Sequence, residues 1–194
     1  MPDICGILLA AGQSLRFGQN KLLQPLPDGT PLLTQTVNNM RLGVDRVIVV
    51  VPPQHGSLAE ILDTAIVEMI INKAASDGMG SSLACGVGAS LEADGWIIGL
   101  ADMPWIPPTI IKRVASALRE GWPLVAPRYQ QQRGHPVGFH HRFAPELLRL
   151  QGDQGARSVL QQHQSEIHFI DCQEPGILLD IDTPDDMFHP TAAD

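Results

Sequence analysis

Short apolar runs that stop at small or polar residues, alternating with stretches of helical pattern, limit this chain to a layered α/β architecture. Residues 4–7, Ile-Cys-Gly-Ile, are too few for a helix and read as a first buried strand. Arg46-Val47-Ile48-Val49-Val50-Val51 is a β-branched strand stopped by Pro52-Pro53, and Glu68-Met69-Ile70-Ile71 is a third. Between them, Thr30-Pro31 opens a helix to about Arg41, and a second helix is expected over 57–65. The order strand, loop, helix, strand, helix, strand implies parallel strands with right-handed crossovers. Gly95-Trp96-Ile97-Ile98-Gly99-Leu100 adds a fourth strand, Pro107-Pro108 opens a helix to about Glu120, and 124–127 is a short strand. From Arg128 the pattern turns into a small antiparallel excursion through Gln130-Gln131-Gln132. Helices are then expected over 145–150 and up to about His163, and strands over 167–170 and 177–179. Alternation along the last strand would put Asp180 and Asp182 on one face, and Thr183-Pro184 reads as the cap of a terminal helix. The expected fold is a three-layer, Rossmann-like α/β domain with a mostly parallel sheet, one domain over 1–194.

Bulk properties narrow the function. The formal net charge of −8 argues against a nucleic-acid partner, whose phosphates such a protein would repel. No apolar run is long enough for a bilayer and no basic region precedes the first strand, so the expectation is a cytoplasmic protein with no membrane contact. Cys5, Cys85 and Cys172 are scattered without zinc or disulfide spacing and read as core fillers; Trp96, Trp105 and Trp122 read as packing residues. Any polyanion must therefore be met by local cations. Arg16, Lys21, Arg133 and Arg157 all lie in Gly-containing segments.

The first strand runs into Leu8-Leu9-Ala10-Ala11-Gly12-Gln13-Ser14-Leu15-Arg16-Phe17-Gly18-Gln19-Asn20-Lys21. Small side chains at Ala10, Ala11 and Gly12 let backbone N–H groups approach an anion, and Arg16 and Lys21 follow. This is neither a Walker loop nor a dinucleotide fingerprint. Asp77-Gly78-Met79-Gly80-Ser81-Ser82 precedes the next helix, whose start offers N–H groups and hydroxyls to a ligand. Asp102, at the carboxyl end of the fourth strand, suits Mg²⁺ better than a core.

The pattern Leu-Ala-Ala-Gly-x-Ser-x-Arg-Phe-Gly-x-x-Lys resembles the signature loop of nucleotidyltransferases that activate sugars and cofactor precursors with an NTP. Beyond it, Gly78-Met79-Gly80-Ser81-Ser82-Leu83, Leu100-Ala101-Asp102-Met103-Pro104, Arg133-Gly134-His135-Pro136-Val137-Gly138-Phe139, Gly152-Asp153-Gln154-Gly155-Ala156-Arg157 and Asp180-Ile181-Asp182-Thr183-Pro184 follow in the order seen in molybdenum cofactor cytidylyltransferases. The resemblance implies Mg²⁺-dependent transfer of CMP from CTP to the terminal phosphate of molybdopterin, releasing pyrophosphate, with a molybdenum hydroxylase apoenzyme as recipient. It implies that Leu9, Ala10, Ala11, Gly12, Ser14, Arg16 and Lys21 hold base and phosphates, Lys21, Arg16 and Asp102 acting in catalysis. Asn72, Gly80, Ser81 and Ser82 would line base and ribose; Asp102 and Asp182 would hold Mg²⁺, with Asp180 as understudy. Residues 1–105 would form the nucleotide half and 106–194 the acceptor half, where Arg133, His135, Asp153 and Arg157 would bind the pterin partner. The alternative for Asp180 and Asp182 is as turn and cap residues, more so for Asp180, and for His135 as a loop histidine fixing its own backbone. Ala11 stands where the guanylyl-transferring relatives carry glycine, a methyl that narrows the base pocket in favour of a pyrimidine. Competing readings are guanylyl transfer, a sugar or polyol phosphate acceptor, and a non-catalytic cofactor carrier or insertion chaperone.

Overall fold

The computed structural model describes residues 1–12 and 20–188. Their strands form one sheet: β1 (Ile4–Leu9), β2 (Arg46–Val51), β3 (Glu68–Ile71), β4 (Gly95–Leu100), β5 (Leu124–Tyr129), β6 (Gln132–Arg133), β7 (Val137–His140) and β8 (Ile167–Asp171). The order is β3-β2-β1-β4-β7-β5, with β6 and β8 also pairing with β5. β1, β2, β3 and β4 pair in parallel, β7 runs antiparallel to both β4 and β5, and β8 is again parallel to β5. The antiparallel excursion is thus the β6–β7 return, as the polar turn after Arg128 implied.

Two-residue alternation sends each strand's apolar side chains into two cores. Val47, Val49 and Val51 face one side and Ile48 and Val50 the other. On the first side lie α1 (Leu32–Arg41), α2 (Gly56–Ile61) and α4 (Pro108–Arg119); on the second lie α3 (Met79–Gly88), α5 (Ala144–Leu147) and α6 (Arg157–Gln162). In α4 the buried Ile110, Ile111, Val114, Ala115 and Leu118 repeat at three and four residues, each large one contributing about 1.5–3 kcal/mol on burial.

Three expectations are corrected. Residues 177–179 form no strand: Pro175–Leu178 is a single 3₁₀ turn. Proline opens it, and Gly176 lies so close to Trp105 that a Cβ would sit 2.3 Å from its carbonyl oxygen, so Ile177 is buried by a turn instead of a ladder. The expected terminal helix is a 3₁₀ turn, Pro184–Met187, closed by a capping box between Thr183 and Asp186. Trp122 is not core; it is 44 % exposed and stacks on His168 at 4.1 Å.

Candidate active site

The parallel strands β1 and β4 end side by side, and the chain leaving each carries candidate ligands. Ala101 N–H donates to Leu9 O (3.2 Å), so the turn bearing Asp102 is tied to the end of β1. Helix α1 holds the same turn from below: the buried Thr36 hydroxyl donates to Ala101 O (2.9 Å) and Asn39 Nδ2 to Pro104 O (2.8 Å). A second tie, Ile181 N–H to Asp102 O (3.0 Å), brings in the carboxyl-terminal segment.

Asp180 and Asp182 therefore reach Asp102 without a strand between them. One carboxylate oxygen from each of Asp102, Asp180 and Asp182 lies within 4.8 Å of the others. The Lys21 ammonium meets this cluster, 2.8 Å from Asp102 Oδ2 and 3.1 Å from Asp182 Oδ1, and donates to Ile181 O at 2.5 Å. Burial opposes the charge on Lys21, but Asp102 and then Asp182 outweigh it and hold the lysine above its ordinary range. Asp180 is raised, first by burial and then by the repulsion of Asp102 and Asp182. Among the described residues Asp102 Oδ1 is buried and has no hydrogen-bond partner. A buried, unpartnered carboxylate oxygen beside two further carboxylates is a donor set that fits a hard divalent cation such as Mg²⁺.

A cavity of about 500 Å³ opens beside Asp102, lined by Leu9, Ala11, Gly12, Gly78, Ser82 and Asp153 among others. Ala10 is set back, buried, its N–H donating to Val50 O (2.9 Å). Ser14 and Arg16 lie outside the described residues.

Helix α3 starts earlier than the sequence suggested, so Gly80, Ser81 and Ser82 sit in its first turn. Gly80 N–H donates to Gly152 O (2.7 Å) and is not presented to the cavity. Gly78, at φ +93°, has Asp153 Oδ1 and Gly152 O about 2.5 Å from where a Cβ would stand. The two Gly-containing segments thus lock together through backbone contact. Asn72 is 4 % exposed and its amide donates to the hydroxyls of Ser81 (2.9 Å) and Ser82 (3.0 Å). Asn72 and Ser81 line a separate depression with Leu150 and Gln151, so the structure does not bring them into the Asp102 cavity.

A second cavity of about 490 Å³ shares Leu9, Met79, Leu100 and Asp153 with the first. It gathers Arg133, His135, Asp153 and Arg157, the four residues expected in the acceptor half. Burial, then the neighbouring Arg157, pushes Arg133 down from the usual arginine range. Burial and then Arg133 push His135 down to about 4 against the pull of Asp102, so its imidazole is neutral near pH 7. Among the described residues its Nδ1 is buried and has no hydrogen-bond partner. The apolar floor of this cavity, Leu83, Ile98, Val137, Phe139 and Leu160, is not assigned to the site by the sequence, even where it falls within a motif, because such residues look like ordinary core.

Residues 6–167 match the MobA-like NTP transferase domain. The chain is 28 % identical to nicotine blue oxidoreductase of Paenarthrobacter nicotinovorans, covering 97 % of each. It is 31 % identical to the purine catabolism protein PucB of Bacillus subtilis, covering 95 % of this chain and 94 % of the relative. It is 26 % identical to molybdenum cofactor cytidylyltransferase of Escherichia coli, covering 96 % and 95 %. A crystal structure from Mycobacterium tuberculosis superposes with a TM-score of 0.82 at 25 % identity, covering 95 % of both chains. The same protein solved with manganese gives a TM-score of 0.78 at 24 % identity. The match over most of the chain, on an α/β sheet with Asp102 just beyond a strand end, places this protein in the MobA-like NTP transferase domain family as a nucleotidyltransferase.

Proposed function

We propose that the protein transfers CMP from CTP to the terminal phosphate of molybdopterin, forming the cytosine dinucleotide and pyrophosphate with Mg²⁺. The observation that carries this reading is the pair of adjoining cavities, one with acidic and small-residue walls, one with two arginines over an apolar floor. The first suits a metal-bound triphosphate and the second a heterocycle bearing a phosphate. Residues 1–105 supply most of the nucleotide side and 106–194 most of the acceptor side, within a cytoplasmic enzyme.

An acceptor phosphate oxygen attacks the α-phosphorus, and the bond from that phosphorus to the bridging oxygen of pyrophosphate breaks. A phosphate monoester has a second pKa of about 6 and is largely dianionic at neutral pH, so no general base is required. Lys21 offers positive charge to the α-phosphate, and Arg133 and Arg157 hold the acceptor phosphate for in-line approach. Neutral His135 hydrogen-bonds the acceptor without adding charge, and Asp153 accepts from pterin N–H groups. Asp102 and Asp182, with Asp180 adjacent, would hold the metal; when bound, Mg²⁺ neutralises the phosphate oxygens and the departing pyrophosphate. The manganese complex of the mycobacterial relative supports a divalent cation in this fold.

CTP is favoured over GTP by the Ala11 methyl on the cavity wall, an effect of about 1–3 kcal/mol, and by the E. coli relative. The test is competition between CTP and GTP for product formation with molybdopterin. Cytidylyl product in excess supports the reading; guanylyl product in excess, or turnover confined to a sugar phosphate, rejects it. Tight cofactor binding with no pyrophosphate release from any nucleotide would point to a carrier, and a molybdenum hydroxylase apoenzyme would then be the recipient to assay.

A further inference from the structure

The acidic cluster already contains a cation, and its placement has a consequence for metal binding. Among the described residues the Lys21 ammonium lies 2.8 Å from Asp102 Oδ2, 3.1 Å from Asp182 Oδ1 and 2.5 Å from Ile181 O. A divalent ion held by these carboxylates sits about 2.0–2.6 Å from each ligand oxygen, within the space the ammonium now governs. The two cations also repel each other at that range.

The carboxylates are the fixed partners. The Asp102 turn is pinned by Leu9 O, by Thr36 on Ala101 O and by Asn39 on Pro104 O, and Ile181 N–H ties the Asp182 segment to Asp102 O (3.0 Å). Thr183 and Asp186 close the turn behind Asp182. Lys21 reaches the cluster on a four-carbon stem, the flexible element of the pair.

We infer that Lys21 is an internal counter-ion that exchanges with the metal. Without nucleotide its ammonium occupies the carboxylate cluster; when a metal–nucleotide complex arrives, the metal takes the carboxylates and the ammonium passes to the phosphates. This rests on the metal site assigned to Asp102 and Asp182 above. The exchange makes free metal a weak ligand, because it must compete with the ammonium for Asp102 Oδ2 and Asp182 Oδ1, and makes the metal–nucleotide complex, whose phosphates receive the ammonium, a strong one. The same lysine thereby couples metal occupancy to nucleotide occupancy.

The test is Mn²⁺ titration followed by electron paramagnetic resonance, without and with a non-hydrolysable CTP analogue. Lys21→Met and Lys21→Gln, each checked for folding by its thermal melt, are expected to bind Mn²⁺ without nucleotide at least about 10-fold more tightly than the unaltered protein, about 1.4 kcal/mol. Adding Asp102→Asn to Lys21→Met is expected to abolish that gain. Lysine variants that bind free Mn²⁺ no more tightly overturn the exchange. A loss of Mn²⁺ in the analogue complex of Asp102→Asn would show that the metal site itself stands even then; unchanged Mn²⁺ binding in that complex would remove the metal site and the exchange together.

Discussion

The two cavities share a wall and differ in nearly every other chemical respect. Around Asp102 the surroundings are acidic, with small residues such as Gly12 and Gly78, and the positive charge comes from Lys21 held among carboxylates. Around Arg133 the floor is apolar, the charge is positive, and the nearby histidine is neutral. In the proposed reaction this contrast would sort the two polyanionic substrates, one reaching its site with a divalent cation and the other meeting arginines that repel each other until an anion joins them. On that proposal the shared wall of Leu9, Met79, Leu100 and Asp153 is where their reacting ends would meet.

The contrast is open to attack from either side. The largest effect is expected for Asp102→Asn, which should lower turnover by about 10²–10³-fold while leaving acceptor affinity unchanged, as read by pyrophosphate release and by acceptor titration. Arg157→Ala removes charge-assisted hydrogen bonds of about 1.5–3 kcal/mol, so the acceptor KM should rise about 10–100-fold with the CTP KM unmoved. Equal rises in both constants would erase the distinction between the cavities. Gly78→Ala tests the lock between them: at φ +93°, with Asp153 Oδ1 2.4 Å from the added carbon, it should cost about 1–3 kcal/mol in urea denaturation and raise both KM values.

The smallest effect is a pH dependence confined to the acceptor side. His135 titrates at about 4 in the folded chain and near 6.5 when unfolded, so between those values the unfolded state binds the extra proton. Its neutral form therefore contributes fully above about pH 6.5, and stability should fall as the pH is lowered towards 4. His135→Gln should remove that part of the slope, measured by denaturation at pH 7 and pH 5. An unaltered slope would show that the imidazole is solvated instead of enclosed.

Legibility in the sequence divided along similar lines. β2 was readable because Val47 to Val51 are β-branched and Pro52-Pro53 stops them, and Asp102 because a carboxylate after an apolar strand has few structural uses. The run 177–179 misled because apolar alternation cannot distinguish a strand from a buried turn; Pro175 and the close contact of Gly176 with Trp105 decided it. Asn72 looked like a ligand group because it is polar at a strand end, yet its amide hydrogen-bonds Ser81 and Ser82 inside the fold. Val137 and Phe139 line a cavity with side chains no different from those of a core, and only the packing of α3 and α6 around them reveals it. Lys21 and Asp182, 161 residues apart, meet through ties made by backbone atoms, which leave no mark on residue type.

The most direct measurement is a crystal structure with Mg²⁺ and a non-hydrolysable CTP analogue. The account predicts the α-phosphate between Lys21 and Asp102, the metal on Asp102 and Asp182, the base against Ala11, Gly12 and Ser82, and the Arg133–Arg157 cavity still open to solvent. A nucleotide seated in the arginine cavity, or phosphates remote from Asp102, would contradict it.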